Sequence, residues 1–399
     1  MNGQPSFDFV ADQLRHESRH WCESYSIEDT IDIVCRWAGQ WDSKRSDWYL
    51  ALEHSGGPFP VAHVLISLSG ITESLTRDTL RNLFTRDEIY VRPAGKAIGH
   101  VIAANTPLLS WVSCLRCLLL GMGSLIKVPS GPSAAYAYLF KRTIHDVSPD
   151  LARLIEIGAW KGGDTAIESK FVSTMDKLVV YGSDRTIEHY RALSPAAMLG
   201  YGHRTSYAVF FGDSAPDADI DGVIQDVVLF DQGGCLSPQA LFVIGTPEHA
   251  DVLAARVHAR FPAIVKRIGL VPRTLDALAV VREIRSLSSM DANARVLTLA
   301  DDSWTIILRE SDGVPPTITH GVLFVQSVPS LADLERMITS RALPVQGICF
   351  SDCYSSESAD IVTFANHIGA SFLAAPGSLQ RPPFRWTQDN YPVLRALLP

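Results

Sequence analysis

The segment Phe230-Asp231-Gln232-Gly233-Gly234-Cys235-Leu236-Ser237-Pro238-Gln239 sets one cysteine directly after two glycines. Glycines let the backbone approach a substrate closely, and small neighbours leave room for an acyl group on the sulfur. The thiolate is the reactive form of cysteine. Turn amides, or the amino terminus of a helix following Ser237-Pro238, would favour it. Spacing alone also fits a cysteine buried as a small hydrophobe, so a catalytic Cys235 needs company. Ala104-Asn105-Thr106-Pro107 offers it, because an amide at the carboxyl end of a strand suits an oxyanion donor. An Asn before Thr-Pro also serves as a turn or helix cap, so each residue supports the other's reading.

The elements that must position these residues follow an alternating rhythm. Gly99 to Ala104 and Ser124 to Val128 are short apolar strands. Between them, from about Leu108 to Gly121, runs a helix apolar nearly all round, as a helix buried against a sheet must be. A third strand, Lys177 to Tyr181, ends at Gly182-Ser183, with a helix from about Asp184. This is a doubly wound dinucleotide-binding pattern, spanning about residues 91–206. Lys127 and Ser130 close the second strand and Gly182 and Ser183 the third, where together they can hold adenosine and pyrophosphate. Neither is the Gly-x-Gly-x-x-Gly fingerprint, and ordinary loop chemistry is the competing account. Residues 1–90 are helical in pattern, with Trp21, Trp37, Trp41 and Trp48 as packing positions. Strands at Val227 to Phe230 and Ala240 to Ile244 bracket the Cys235 loop in a second α/β domain over 207–350. Residues 351–399, rich in Pro, Arg and aromatic residues, read as an arm lying on a partner or on the first domain.

With 399 residues, 47% of them apolar, the chain can bury a large core. Its net charge of -8 supplies no basic field, which argues against nucleic acid or an anionic membrane as partner. The polar start MNGQPSFDFVADQLRHESRH lacks the layout of a signal peptide, so a cytoplasmic protein is expected. Seven cysteines, an odd number spread over a long chain, point to reduced thiols. Cys114 and Cys117 have the spacing of half a zinc site, with Cys349 and Cys353 as a conceivable other half. The first pair lies on the apolar helix, whose burial is the better account, and no metal is expected. The turn Trp160-Lys161-Gly162-Gly163-Asp164 lacks the Lys-Ser/Thr of a triphosphate loop and is set aside.

Taken in order, Asn105-Thr106-Pro107, Leu125-Ile126-Lys127-Val128-Pro129-Ser130, Tyr181-Gly182-Ser183-Asp184, Gly200-Tyr201-Gly202-His203 and the Cys235 loop resemble the aldehyde dehydrogenase superfamily. Within it, Phe-Asp-Gln-x-x-Cys-Leu-Ser-Pro-Gln is similar to the acyl-CoA reductases of the LuxC type, the fatty acid reductases of bacterial luminescence and their relatives. The likeness is best from about Gly99 to Phe242, extends to Pro382-Pro383-Phe384-Arg385-Trp386, and carries little of residues 1–90. It implies an aldehyde-dehydrogenase-like α/β fold: a Rossmann-type dinucleotide-binding domain, an α/β catalytic domain and an oligomerisation arm. It also implies Cys235 as the acyl-accepting nucleophile, Asn105 as oxyanion donor beside the Cys235 amide, and Lys127 on the adenosine ribose. Gly182 and Ser183 fall against the pyrophosphate. Ser130 stands where many NAD-specific relatives hold a glutamate that repels a 2′-phosphate, so NADPH is the expected cofactor, with NADH the alternative.

The glutamate that activates water in the hydrolysing relatives would fall near Gly200, where no carboxylate stands. His203, slightly further along, is a candidate acid or base, although a lone histidine is more often structural. The implied reaction is NADPH-dependent reduction of an acyl-CoA or acyl-carrier-protein thioester to an aldehyde. An acyl-activating synthetase is the implied partner, and a homo-oligomer the implied state. The alternatives are an aldehyde-oxidising dehydrogenase, disfavoured by the missing base, and a scaffolding subunit of an acyl-transfer complex, which would need none of Cys235, Asn105 and Lys127.

Overall fold

A computed structural model describes residues 6–41, 47–193, 198–299, 303–311, 313–318, 320–341, 344–351 and 358–399. The chain forms two compact units: Met1–Val64 with Leu68–His203 and Pro383–Pro399, and Arg204–Pro382 with Leu65–Ser67.

The first unit contains a five-stranded parallel sheet of β1 (Ala97–Val101), β2 (Gly123–Lys127), β3 (Ile155–Gly158), β4 (Lys177–Tyr181) and β5 (Met198–Tyr201), in the order β3-β2-β1-β4-β5. Helices Leu109–Leu119, Ala134–Val147, Thr165–Thr174 and Asp184–Leu193 are the crossovers. Strand order reverses between β1 and β4, which opens a crevice at the carboxyl ends there. The helix Leu109–Leu119 is buried on nearly every side, as its composition requires. Its Arg116 donates from Nη2 to the Trp386 carbonyl, and its guanidinium lies 5.8 Å from the centre of the Phe384 ring. Trp21, Trp37, Trp41 and Trp48 are all buried.

Residues 383–399 pack within this unit, where the Leu394 amide donates to Asp87 and Lys177 Nζ to the Leu398 carbonyl. Residues 358–382 belong to the other unit, so the stretch expected as one arm is divided. The strand Lys177–Tyr181 is fourth rather than third, because Ile155–Gly158 is too short and too mixed in polarity to read as a strand. β1 stops at Val101, leaving Ile102-Ala103-Ala104 to the loop.

The second unit holds a seven-stranded sheet: β6 (Thr205–Phe211), β7 (Pro238–Ile244), β8 (Ala294–Thr298), β9 (Thr305–Arg309), β10 (Val322–Val328), β11 (Val345–Phe350) and β12 (Phe372–Ala374). The order is β12-β11-β6-β7-β10-β9-β8, parallel except for the β8–β9 pair. The expected strand Val227 to Phe230 is not one. Ile220, Val223, Ile224, Val227 and Val228 form the buried stripe of the helix Asp217–Val228. A short apolar run bounded by turns does not distinguish a buried strand from the end of a buried helix.

Asp226 on that helix is fully buried and accepts the backbone amides of Gly377 (2.7 Å), Leu379 (3.3 Å) and Gln380 (3.4 Å). Gly222 permits the approach, since a Cβ there would lie 2.5 Å from the Pro376 carbonyl carbon. Burial raises the Asp226 carboxyl to about 7 against those three donors. Because that value lies above the unfolded one, folding takes up a proton between about pH 4 and 7. The stabilisation is complete below about pH 4 and is lost as pH rises through 7, at roughly 1.4 kcal/mol per unit at most. Melting temperatures of the wild type and Asp226→Asn between pH 4 and 8 should therefore diverge, the variant lacking this downward slope. Equal slopes would contradict the assignment.

Candidate active site

In the first unit, a cavity of about 540 Å³ opens at the carboxyl ends of β1 to β4, lined among others by Val101–Ala103, Lys127, Ser130, Gly162, Gly163 and Gly182. Lys127, Ser130 and Gly182 are thus brought together, and Ser183 caps the next helix, its Oγ accepting the Thr186 amide at 3.3 Å. A Cβ on Gly182 would stand 2.8 Å from Thr186 Cβ, so only glycine fits that turn. At Gly162 and Gly163 a Cβ would meet nothing within 4 Å, which leaves bare backbone facing open space. The glycine turn discounted as a triphosphate loop therefore walls this cavity, and without the missing Lys-Ser/Thr.

The floor of the cavity carries a group that the sequence reading missed. Glu168 is buried, and its carboxylate accepts from His189 Nε2 (2.7 Å), the Tyr190 hydroxyl (2.8 Å) and the Gly163 amide (3.2 Å). Burial would raise this carboxyl, but the donors outweigh burial and hold it below the usual carboxylate range. Burial likewise lowers the Lys127 ammonium, against the Glu168 charge, which favours it. Lys127 and Arg185 line the same cavity, so an anionic ligand would meet cationic side chains there.

Asn105 lies exposed in the loop after β1, and the following helix is capped at Leu108 without a side-chain hydrogen bond, so Asn105 is not its cap. His203 is exposed; its backbone amide donates to Asp184.

Cys235 belongs to the second unit and is half-buried between buried Gly234 and Leu236. The helix Asp217–Val228 breaks into three successive left-handed residues, Phe230 (φ 59°), Asp231 (φ 52°) and Gln232 (φ 63°). Left-handed backbone costs a non-glycine residue roughly 1–2 kcal/mol, so the surroundings must over-determine the loop. They do so through the polar residues of the motif. The Asp231 carboxylate accepts Arg273 Nε (2.8 Å) and Nη2 (2.6 Å) on Oδ1, and His320 Nδ1 (3.0 Å) on Oδ2. Gln232, fully buried, donates from Nε2 to the carbonyls of Pro238 (2.9 Å) and Val322 (2.8 Å) and accepts the Val322 amide on Oε1 (3.2 Å). Ser237 Oγ accepts Gln380 Nε2 at 2.8 Å, and Gln239 Oε1 accepts the Ile318 amide. The Cys235 carbonyl accepts Ser206 Oγ at 2.7 Å.

No helix follows the cysteine, because Pro238 opens β7. The dipole expected to favour the thiolate is absent, and turn amides remain. Cys114 and Cys117 are fully buried on their helix, Cys353 lies outside the described residues, and no metal-ligating cluster occurs among the described residues. Among those residues, too, no helix is long and apolar enough to cross a membrane.

Solved structures share this architecture. A NAD-dependent benzaldehyde dehydrogenase from Corynebacterium glutamicum superposes with a TM-score of 0.69 at 15% identity, over 97% of this chain and 87% of that one. An indole-3-acetaldehyde dehydrogenase of P. syringae, solved with NAD+, gives 0.68 at 14% identity, over 92% and 80%. The fold is therefore that of the aldehyde dehydrogenases. Among curated proteins, long-chain acyl-protein thioester reductase 2 of Photobacterium leiognathi is 30% identical over 178 residues, 43% of this chain and 37% of that protein. The Vibrio harveyi long-chain acyl-protein thioester reductase is 28% identical over 164 residues, 40% and 34%. These matches span well under half the length of each relative. A family profile described as acyl-CoA reductase (LuxC) matches residues 23–381, across both units and through the Cys235 loop, and the chain belongs to that family.

Proposed function

We propose that this protein reduces an acyl thioester to an aldehyde through a thioester on Cys235, with NADPH as reductant. The observation that carries this reading is the Cys235 loop, a strained turn in which Asp231, Gln232, Ser237 and Gln239 are all committed to holding the cysteine's backbone. Family membership and the acyl-protein thioester reductase names of the relatives support the same chemistry.

The first-unit cavity fits a nicotinamide dinucleotide. Lys127 would hold the adenosine ribose and Gly182 and Ser183 the pyrophosphate, while Ser130 leaves room for a 2′-phosphate. When bound, the reduced nicotinamide supplies hydride. The chain's own residues do the rest. Cys235 Sγ attacks the thioester carbonyl, with Asn105 and the Cys235 amide as donors to the developing oxyanion. The departing thiol, with a pKa near roughly 8.5, needs little acid assistance. Hydrolysis of the acyl-enzyme is slow because Gly200 stands where a water-activating carboxylate would be needed. His203 is the candidate acid or base of the first unit. The acyl donor is a protein-bound or CoA thioester, supplied by an acyl-activating synthetase, and the working form is a homo-oligomer in the cytoplasm.

The test follows NADPH consumption against short, long and aromatic acyl-CoAs, with aldehyde trapped by a hydrazine. Turnover with trapped aldehyde supports the reading, whereas rapid NAD-dependent acid formation from aldehydes would replace it with the oxidising direction. If no acyl-CoA is consumed, intact mass decides: acylated Cys235 points to a different reductant or a missing partner, and unmodified protein to a carrier-bound donor. In the same assay, Lys127→Met should raise the KM for NADPH roughly 10- to 100-fold, the worth of a lost charge-assisted hydrogen bond, with kcat at saturation much less affected.

A further inference from the structure

The anchor of the Cys235 loop is also an oriented acid–base pair. Asp231 and Arg273 each keep only 7% of their side-chain surface exposed, and the guanidinium meets the carboxylate through Nε and Nη2. Gly321 makes this approach possible, since a Cβ there would stand 2.3 Å from Arg273 Nη2. The buried carboxylate thus has Arg273 as a paired cation. His320 Nδ1 lies 3.0 Å from Asp231 Oδ2. An ionised carboxylate only accepts, so Nδ1 carries the hydrogen, and the neutral ring's lone pair is on Nε2. The His320 side chain is 41% exposed, and Nε2 makes no hydrogen bond among the described residues.

This ring belongs to the same loop cluster as Cys235. Asp231 binds His320, and Gln232 binds both the amide and the carbonyl of Val322, so residues 320–322 are tied directly to residues 231–232. Cys235 follows Gln232 by three residues, a span of at most about 11 Å even when extended. On either side of that span the chain turns, with the Gly233 amide donating to the Phe230 carbonyl and the Ser237 amide to the Gly234 carbonyl. His203, by contrast, has no carboxylate bonded to its ring among the described residues.

We propose that His320, oriented by Asp231, is the proton acceptor for the Cys235 thiol; this rests on the reading of Cys235 as the acyl-accepting nucleophile. The Cys235 S–H proton passes to His320 Nε2 as the sulfur forms its bond to the thioester carbonyl carbon. The bond from that carbon to the departing sulfur then breaks, and the proton on Nε2 passes to the departing thiolate. His320 returns to its neutral form, and no oxidant or reductant is consumed in this half of the cycle.

Alkylation of Cys235 by iodoacetamide, followed at its own peptide by mass spectrometry, reads the thiol without substrate. A cysteine without a base is only a few per cent thiolate at neutral pH. His320→Gln should therefore slow alkylation of Cys235 by about 10-fold or more at pH 7. It should also slow thiol release from an acyl-CoA by about 100-fold, while melting within a few degrees of the wild type. Asp231→Asn should slow alkylation in the same direction. Wild-type alkylation and thiol-release rates in a folded His320→Gln protein would overturn the proposal. Alkylation that depends on His320 in a protein that turns over no acyl thioester would sustain it while overturning the reductase reading.

Discussion

Cys235→Ala should abolish aldehyde formation, lowering the rate of acyl-thioester reduction by at least about 10⁴-fold, the scale seen when a covalent nucleophile is removed. The loop should survive the change. One contact to residue 235 runs from Ser206 Oγ to its backbone carbonyl, and the side chains of Asp231, Gln232 and Ser237 hold the flanking turn. NADPH affinity, measured by fluorescence titration, should stay within about twofold, because the cavity assigned to it is built wholly within the first unit. An alanine variant that still yields trapped aldehyde at a hundredth of the wild-type rate would show that the acyl group is not carried on this sulfur. One that loses cofactor binding as well would show that the substitution had disturbed the fold.

Asn105→Ala should lower kcat by about 10²- to 10³-fold, or about 3–4 kcal/mol of barrier, as removal of one oxyanion donor does elsewhere. KM for the acyl thioester should move little, because an oxyanion donor acts on charge that develops only in the transition state. The competing account, a residue that merely closes a turn, predicts the reverse: a lower melting temperature with kcat nearly intact. Asn105 is exposed and does not cap the following helix, so the two accounts are separated by measuring kcat and melting temperature on the same variant. A full-strength kcat in the variant would leave the Cys235 amide as the remaining assigned donor.

The parts of this protein legible in one dimension are those whose physics is local. Apart from β3, the βα units of the first sheet's centre announce themselves by a short apolar run and a glycine or proline turn, so β2 with Lys127 and Ser130, and β4 with Gly182 and Ser183, could be placed within a residue or two. Their convergence on one cavity follows from parallel strands presenting their carboxyl ends on the same side. Val227 to Phe230 was misread because a run of apolar residues serves a buried strand and a buried helix end equally. The Trp160–Asp164 turn carries no complete fingerprint along the chain, and only the fold brings the bare backbone of Gly162 and Gly163 to the cavity wall.

By itself, the sequence determined which residue types were available for the chemistry: a cysteine among glycines, an asparagine and a lysine after strands, and no carboxylate at Gly200. Only the tertiary structure decided what holds the cysteine's loop and which histidine that anchor binds. Arg273, His320 and Gln380 lie 42, 89 and 143 residues from their partners Asp231 and Ser237, and no pattern along the chain links them. Glu168 is the same case in the first unit: an unremarked helical glutamate until His189, Tyr190 and Gly163 close around it. The physical reason is that a left-handed loop or a buried carboxylate is stable only where distant donors meet it, and folding alone brings those donors together.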